Sequence, residues 1–173
     1  MAPLELMSMA DVAEARKNPA ASLLAEISRT KLVMLGLKDA AAEMQPMAPH
    51  VDDAQSLIYF FTRTSGSLTA KVGLGATGEI VMIGQDHDFY AWAEGAIVQN
   101  LDRATVDRLW GPSVAAWYKE GKEDPDLTLL TFTPRIGKIW VASDSALLFV
   151  WQMAKAFATG DEPDVFAAID VAF

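Results

Sequence analysis

Apolar residues recur along this chain with two different periods, and the change falls near Lys31. Before it the spacing is helical. Residues 9–18 are polar, alanine-rich and helix-compatible, and Pro19 punctuates them. Leu23, Leu24 and Ile27 then return on one face of a short helix over 20–29. After Lys31 the pattern becomes that of strands. Leu32-Val33-Met34-Leu35-Gly36-Leu37 is a short apolar run, and residues 38–43 read as a turn. Gln45-Pro46-Met47 begins another extended piece, because Pro46 has no backbone donor and biases Gln45 away from helix. Asp52-Asp53 marks a turn, and residues 57–62, all apolar, aromatic or β-branched, form the clearest strand.

Residues 68–74 read as a short helix, 79–84 as a strand, Gln85-Asp86-His87-Asp88 as a polar turn and 89–98 as the returning strand of a hairpin. Asp102 caps a helix over 102–109 that continues loosely to Tyr118, with a break at Gly111-Pro112. A charged loop over 121–126 precedes strands at 127–133 and 136–142, with Pro134 between them, and 147–157 is apolar enough for a last helix. Short strands joined by short helices predict a mainly β fold, a small, largely antiparallel barrel. A doubly wound parallel sheet needs a long helix after each strand. Gly73-Leu74-Gly75-Ala76-Thr77-Gly78 fits G-x-G-x-x-G, but a helix precedes it and a strand follows. That is the reverse of the dinucleotide motif, so the glycines read as a helix C-cap and turn.

The 173 residues, 51% hydrophobic and 21% charged, suit one domain spanning 1–173, with 1–19 as an N-terminal extension or helix. A mean hydropathy of +0.17 leaves apolar surface that a subunit interface would cover. The formal charge of −9 repels phosphate backbones and anionic lipid, so neither nucleic acid nor a membrane is expected as partner. The first residues lack a basic stretch followed by an apolar one, no run is long enough to span a bilayer, and a cytoplasmic location is expected. The absence of cysteine excludes disulfides and thiolate chemistry.

His50 and His87 are the only histidines. Asp86-His87-Asp88 has the residue types of a mixed-ligand metal site, but Asp favours such turns for backbone reasons, and no metal is expected. His50 lies near Asp52 and Asp53 as half of a catalytic pair, yet no serine sits in a nucleophile elbow, and no catalytic residue is assigned. Asp11, Glu14 and Glu26 read as solvated helix faces. Trp110, Trp117 and Trp140 fall near element ends, where aromatic side chains line an interface or a planar ligand, or fill the core. The best anion site is Thr62-Arg63-Thr64-Ser65-Gly66-Ser67, between a strong strand and a short helix. An ordinary Ser/Thr capping loop explains it as well.

The order of Gln45-Pro46-Met47-Ala48, Tyr59-Phe60-Phe61-Thr62, Arg108-Leu109-Trp110, the stretch from Ala116 to Lys122, Asp124-Pro125-Asp126-Leu127 and Ile139-Trp140 resembles the general-stress-protein branch of the pyridoxamine-phosphate-oxidase-like, FMN-binding split-barrel superfamily. The resemblance runs from about residue 24 to 164. It implies a six-stranded-type antiparallel split β-barrel that forms a homodimer, with FMN between the subunits. On that reading Gln45, Pro46 and Met47 lie along the isoalloxazine, Phe61 and Thr62 touch the ring and ribityl chain, and Arg63, Ser65 and Ser67 form the phosphate loop. Tyr90 and Trp140 contact the flavin, and Trp110 covers it. Oxidases carry an Arg-Lys pair in the phosphate loop where this chain has Ser67-Leu68, and the Arg that follows their strand Trp has no counterpart in 141–150. The resemblance therefore implies a stress-linked FMN protein and not a true pyridoxamine-phosphate oxidase. It would be either an oxidoreductase on an unidentified substrate, with a nicotinamide or unknown donor, or a non-enzymatic carrier or binding module. A relative that has lost FMN for another planar or anionic ligand is the third alternative.

Overall fold

The computed structural model of the chain describes residues 12–38, 44–100, 102–142, 154–155, 157–158, 160 and 166–173. Two helices come first, α1 (Val12–Lys17) and α2 (Pro19–Thr30). Pro19 opens α2, where its missing N–H would have no intrahelical partner in any case. Lys31 ends the helix in the left-handed region (φ 60°) and donates its N–H to the Ile27 carbonyl. The face with Leu23, Leu24 and Ile27 is buried, as the spacing predicts. Most of the turn expected at 38–43 and of the helix expected at 147–157 lies outside the described residues.

The strands are β1 (Val33–Leu37), β2 (Gln45–Met47), β3 (His50–Asp52), β4 (Leu57–Arg63), β5 (Ala76–Ile83), β6 (Phe89–Asn100), β7 (Leu127–Ala142) and β8 (Phe166–Ala172). They form one eight-stranded sheet in the order β2-β1-β5-β6-β7-β4-β3, with β8 added to β7, and its ladders are antiparallel. β2 and β3 lie at opposite ends of that order, yet only Ala48 and Pro49 separate them. Three Cα steps reach at most about 11 Å. The sheet must therefore curl until its two edges meet, which makes the half-barrel. Taken as one bent strand, β2 and β3 bring the barrel to the expected six, and β8 lies outside that count.

Inside the curl, alternate residues from facing strands interlock. Leu35, Ile58, Phe60, Ile80, Ile97 and Phe132 are at most 1% exposed, and Leu23 and Ile27 of α2 plug one opening. Each such side chain stabilises the fold by roughly 1.5–3 kcal/mol relative to exposure. A smaller cluster lies on the other face of β4, where Tyr59 and Leu129 pack with Val106 and Leu109 of α4 (Arg103–Leu109). No helix among the described residues is long and apolar enough to cross a membrane.

Several expectations change. Glu26, expected on a solvated helix face, is buried on α2 and paired with Arg29 at 2.6 Å. The strands expected on either side of Pro134 are one sixteen-residue strand, β7. Along one edge β7 pairs with β4 as far as Phe132 and with β8 from Ile136, so the donor that proline lacks falls in the gap between partners. On the other edge the register with β6 slips at Glu94/Gly95, a bulge opposite Pro134 and Ile136. The break expected at Gly111-Pro112 divides α4 from α5 (Pro112–Ala115), since Gly111 caps the second helix and Pro112 opens it, but α5 ends at Ala115 and does not run on to Tyr118. Asp52, expected in a turn, ends β3, and the turn follows it. β8 was not expected at all.

The G-x-G-x-x-G run does follow a helix, α3 (Ser67–Val72), and lead into β5, with Gly73 at φ 53° and Gly75 at φ 149°. The reading as a C-cap and turn holds. Gly95 has a different constraint. A Cβ there would lie 2.1 Å from the Thr133 carbonyl oxygen and 2.7 Å from the Pro134 Cα, both on backbone that cannot swing aside. Gly95→Ala is expected to destabilise the protein by about 3 kcal/mol or to prevent folding, read from the denaturant midpoint.

Candidate functional site

β4 divides its side chains between the two clusters. Ile58 and Phe60 point into the barrel, while Leu57, Tyr59 and Phe61 point out. The Phe61 ring meets His50 at 5.2 Å and Trp110 at 6.0 Å between centroids, both edge to face. Trp110 is where the break between α4 and α5 matters: its extended backbone (φ −67°, ψ 129°) takes it out of the helix. Tyr118 stacks at a tilt 6.2 Å beyond it. The buried Tyr118 donates its hydroxyl to the Thr62 carbonyl at 2.8 Å, which ties the end of β4 to the segment after α5. Burial raises the Tyr118 phenol above its ordinary pKa and lowers His50 below 6.5, so the imidazole is neutral at pH 7.

Gln45, Pro46 and Met47 form β2, joined by Ala48 and Pro49 to the strand that carries His50. Met47 packs on the barrel core, Pro46 is exposed and Gln45 is half-buried. Met47 lies three residues before His50, so about 11 Å of chain at most separates it from a ring that touches Phe61.

The loop after β4 is closed by its own chain. Arg63 donates one guanidinium nitrogen to the Asp126 carboxylate at 3.1 Å and another to the Trp117 carbonyl at 3.1 Å, and lies 5.5 Å from the centre of the Tyr118 ring. Ser65 donates its N–H to the other Asp126 oxygen at 2.8 Å and its hydroxyl to the first at 3.0 Å. The Thr64 N–H takes the Asp126 backbone carbonyl at 2.7 Å. The Ser65 amide foremost, then its hydroxyl and Arg63, hold the Asp126 carboxyl below the ordinary carboxylate range. Ser67 is exposed and opens α3, a helix of six residues. Leu68, at one of the positions where oxidases carry a cation, is buried in the main core.

Asp126 is positioned by its own surroundings. Its N–H bonds the Asp124 side chain at 3.0 Å. The 3-10 turn Gly121–Glu123 is fastened to α4 by Lys122 on Asp107 at 2.6 Å and by Arg103 on the Lys122 carbonyl at 2.6 Å. Asp102 caps α4 by accepting from the Thr105 N–H at 2.9 Å.

Tyr90 and Trp140 lie elsewhere. They are cross-strand partners on the outer face of β6 and β7, and Tyr90 meets Phe166 of β8 edge to face at 5.7 Å. Phe61 pairs with Leu129, and Trp140 is eleven residues further along the same strand. That is about 35 Å of path. The residues assigned to a ligand thus divide into two groups in one chain. One holds Phe61, Thr62, Arg63, Ser65 and Trp110, and the other holds Tyr90 and Trp140; Gln45, Pro46 and Met47 lie on β2 against β1, and Ser67 opens α3. The sequence reading did not single out Tyr118 or Asp126 individually, nor Phe166. At the hairpin turn, Asp86 pairs with Arg29 at 2.9 Å and His87 takes φ 58°. Among the described residues no three metal-ligating side chains gather.

The family model described as pyridoxamine 5'-phosphate oxidase like matches residues 18–164. Among solved structures, general stress protein 26 of Jannaschia sp. CCS1 is 28% identical, with 95% of this chain and all of that one covered, at a TM-score of 0.72. The general stress FMN/FAD binding protein of Xanthomonas citri is 32% identical over 78% of this chain and 93% of its own, at 0.69. A general stress family protein of Xanthomonas campestris is 33% identical over 73% and 90%, at 0.64. No curated protein matches the chain. A match over most of the length, on an antiparallel half-barrel with this order of strands, makes the chain a member of the pyridoxamine 5'-phosphate oxidase like family, and it resembles the family's general stress proteins.

Proposed function

We propose that the protein is a flavin-binding homodimer, which holds FMN between two copies and uses the ring as a redox centre for an unidentified substrate. The observation that carries this reading is the separation of the two aromatic groups along β7. A twofold dimer makes every contact twice, so the Phe61 end of one copy can meet the Tyr90–Trp140 end of the other at two equivalent sites. The outer face offers the apolar surface for it. Met34, Val81 and Ile83 are 38%, 37% and 50% exposed, beside half-buried Tyr90, Trp92 and Trp140. The Xanthomonas citri relative, which binds FMN or FAD, supports the choice of ligand.

The ring end suits a flavin. Phe61 and Trp110 present flat apolar walls, and β2 brings backbone donors and acceptors near them. When bound, the flavin supplies the hydride or electron transfer. The chain's own residues bind and orient. Trp110 and Phe61 keep water from one side, and Tyr118 holds the Thr62 carbonyl in place, a bond worth about 1 kcal/mol net. Gln45 and the Met47 backbone are the groups we assign to the ring's polar edge. His50 stays neutral and acts as a wall, not as an acid.

The purified protein is expected to carry or take up flavin with its visible absorption, and to bleach when mixed anaerobically with a reduced nicotinamide dinucleotide, whose hydride would pass to the ring; bound flavin that does not bleach with it would point to a carrier. Phe61→Ala and Trp140→Ala are each expected to weaken flavin binding about tenfold. Heterodimers of the two variants should regain one native site, seen as recovered tight binding on mixing. No recovery would mean that Phe61 and Trp140 do not serve one site across the interface.

A further inference from the structure

We infer that Asp126 is a tethered anion which sets the chemistry of the ligand's tail: the site grips a flavin by its ring and does not select for the 5′-phosphate. The inference rests on the flavin reading above. The donors that a phosphate would use at this loop are the Arg63 guanidinium, the Ser65 amide and the Ser65 hydroxyl, and the Asp126 carboxylate takes all three at 2.8 to 3.1 Å. The pair lies at the surface, with 52% of the Arg63 side chain and 30% of the Asp126 side chain exposed, but it does not stand alone. Asp126 is knitted to the loop by backbone as well, through the Thr64 N–H on its carbonyl at 2.7 Å, and its own N–H is held by Asp124 at 3.0 Å. Arg63 is fixed on its other side by the Trp117 carbonyl and the Tyr118 ring, so it cannot turn toward a newcomer without losing both. Leu68 is 4% exposed within the core and cannot supply the charge that oxidases place there.

A dianionic phosphate arriving here meets a negative charge already at hydrogen-bond distance from the Arg63 and Ser65 donors, and like charges so placed repel. A terminal hydroxyl, as in riboflavin, meets no such opposition and can itself donate to the Asp126 carboxylate. At this loop the Asp126 charge offsets the attraction of Arg63, so the ring end sets the affinity for either flavin.

The test compares riboflavin and FMN by quenching of flavin fluorescence, using the full chain, Asp126→Asn, and Asp126→Asn with Arg63→Ala. Asparagine keeps an acceptor for the Ser65 amide and removes the charge. The native protein is expected to bind the two flavins within about threefold of each other, since its loop gives the phosphate no net attraction. Asp126→Asn should raise FMN affinity about tenfold and leave riboflavin unchanged, and adding Arg63→Ala should abolish that gain. A native protein that prefers FMN by a hundredfold or more overturns the inference whatever the variants do, as does an Asp126→Asn protein that shifts both flavins alike or neither. If neither flavin binds any of the three proteins, the flavin reading itself fails and this inference goes with it. That outcome is distinct from riboflavin binding with an unmoved FMN ratio.

Discussion

Two residues decide the shape of this molecule. Ala48 and Pro49 must connect strands at opposite ends of the sheet order, and so short a link forces the sheet to close on itself. Closure puts Phe60 and Phe132 in a sealed interior and leaves Phe61, one residue on, facing outward beside His50. The position of the outer aromatic cluster is a result of the same constraint. His50 of β3 lies against Phe61 where the chain that closes the barrel passes from one edge to the other.

The barrel could be read from the sequence where the pattern is local. Leu23, Leu24 and Ile27 announce one buried helix face, and residues 57–62 could hardly be anything but strand. What could not be read depends on partners distant in sequence. Pro134 looks like a terminator until its neighbours are known, because its harmlessness comes from the change of partner from β4 to β8. β8 itself holds Ala167, Ala168 and Ala172, residues with little strand preference, and forms because β7 offers an edge. The site was legible in the same uneven way. Phe61 and Trp110 do come together, and the resemblance named them. Asp126 gave no sign, since an acidic residue in a charged loop is ordinary until Arg63 and Ser65 are seen to converge on it. Tyr118 was hidden inside a helix expected to be longer than it is.

The two ends of the site differ in kind. The ring end is built from aromatic contacts that hardly depend on salt or pH, with His50 uncharged by burial. The tail end is electrostatic and self-neutralised: Arg63 and Asp126 cancel each other within the chain. Tyr118 joins the two ends, lying against Trp110 on one side and under the Arg63 guanidinium on the other.

β7 also has a mechanical meaning. For most of its length it is flanked on both sides, with an aromatic group near either tip and its one irregularity, the bulge at Pro134, midway between them. The arm of α4, α5 and the 3-10 turn is different. It is held over the barrel's outer face by a modest apolar cluster, the Tyr118 hydroxyl and a few ion pairs at the surface. Movement in this part of the molecule therefore falls to that arm, while the ladders on either side of β7 hold the Phe61 and Trp140 ends apart.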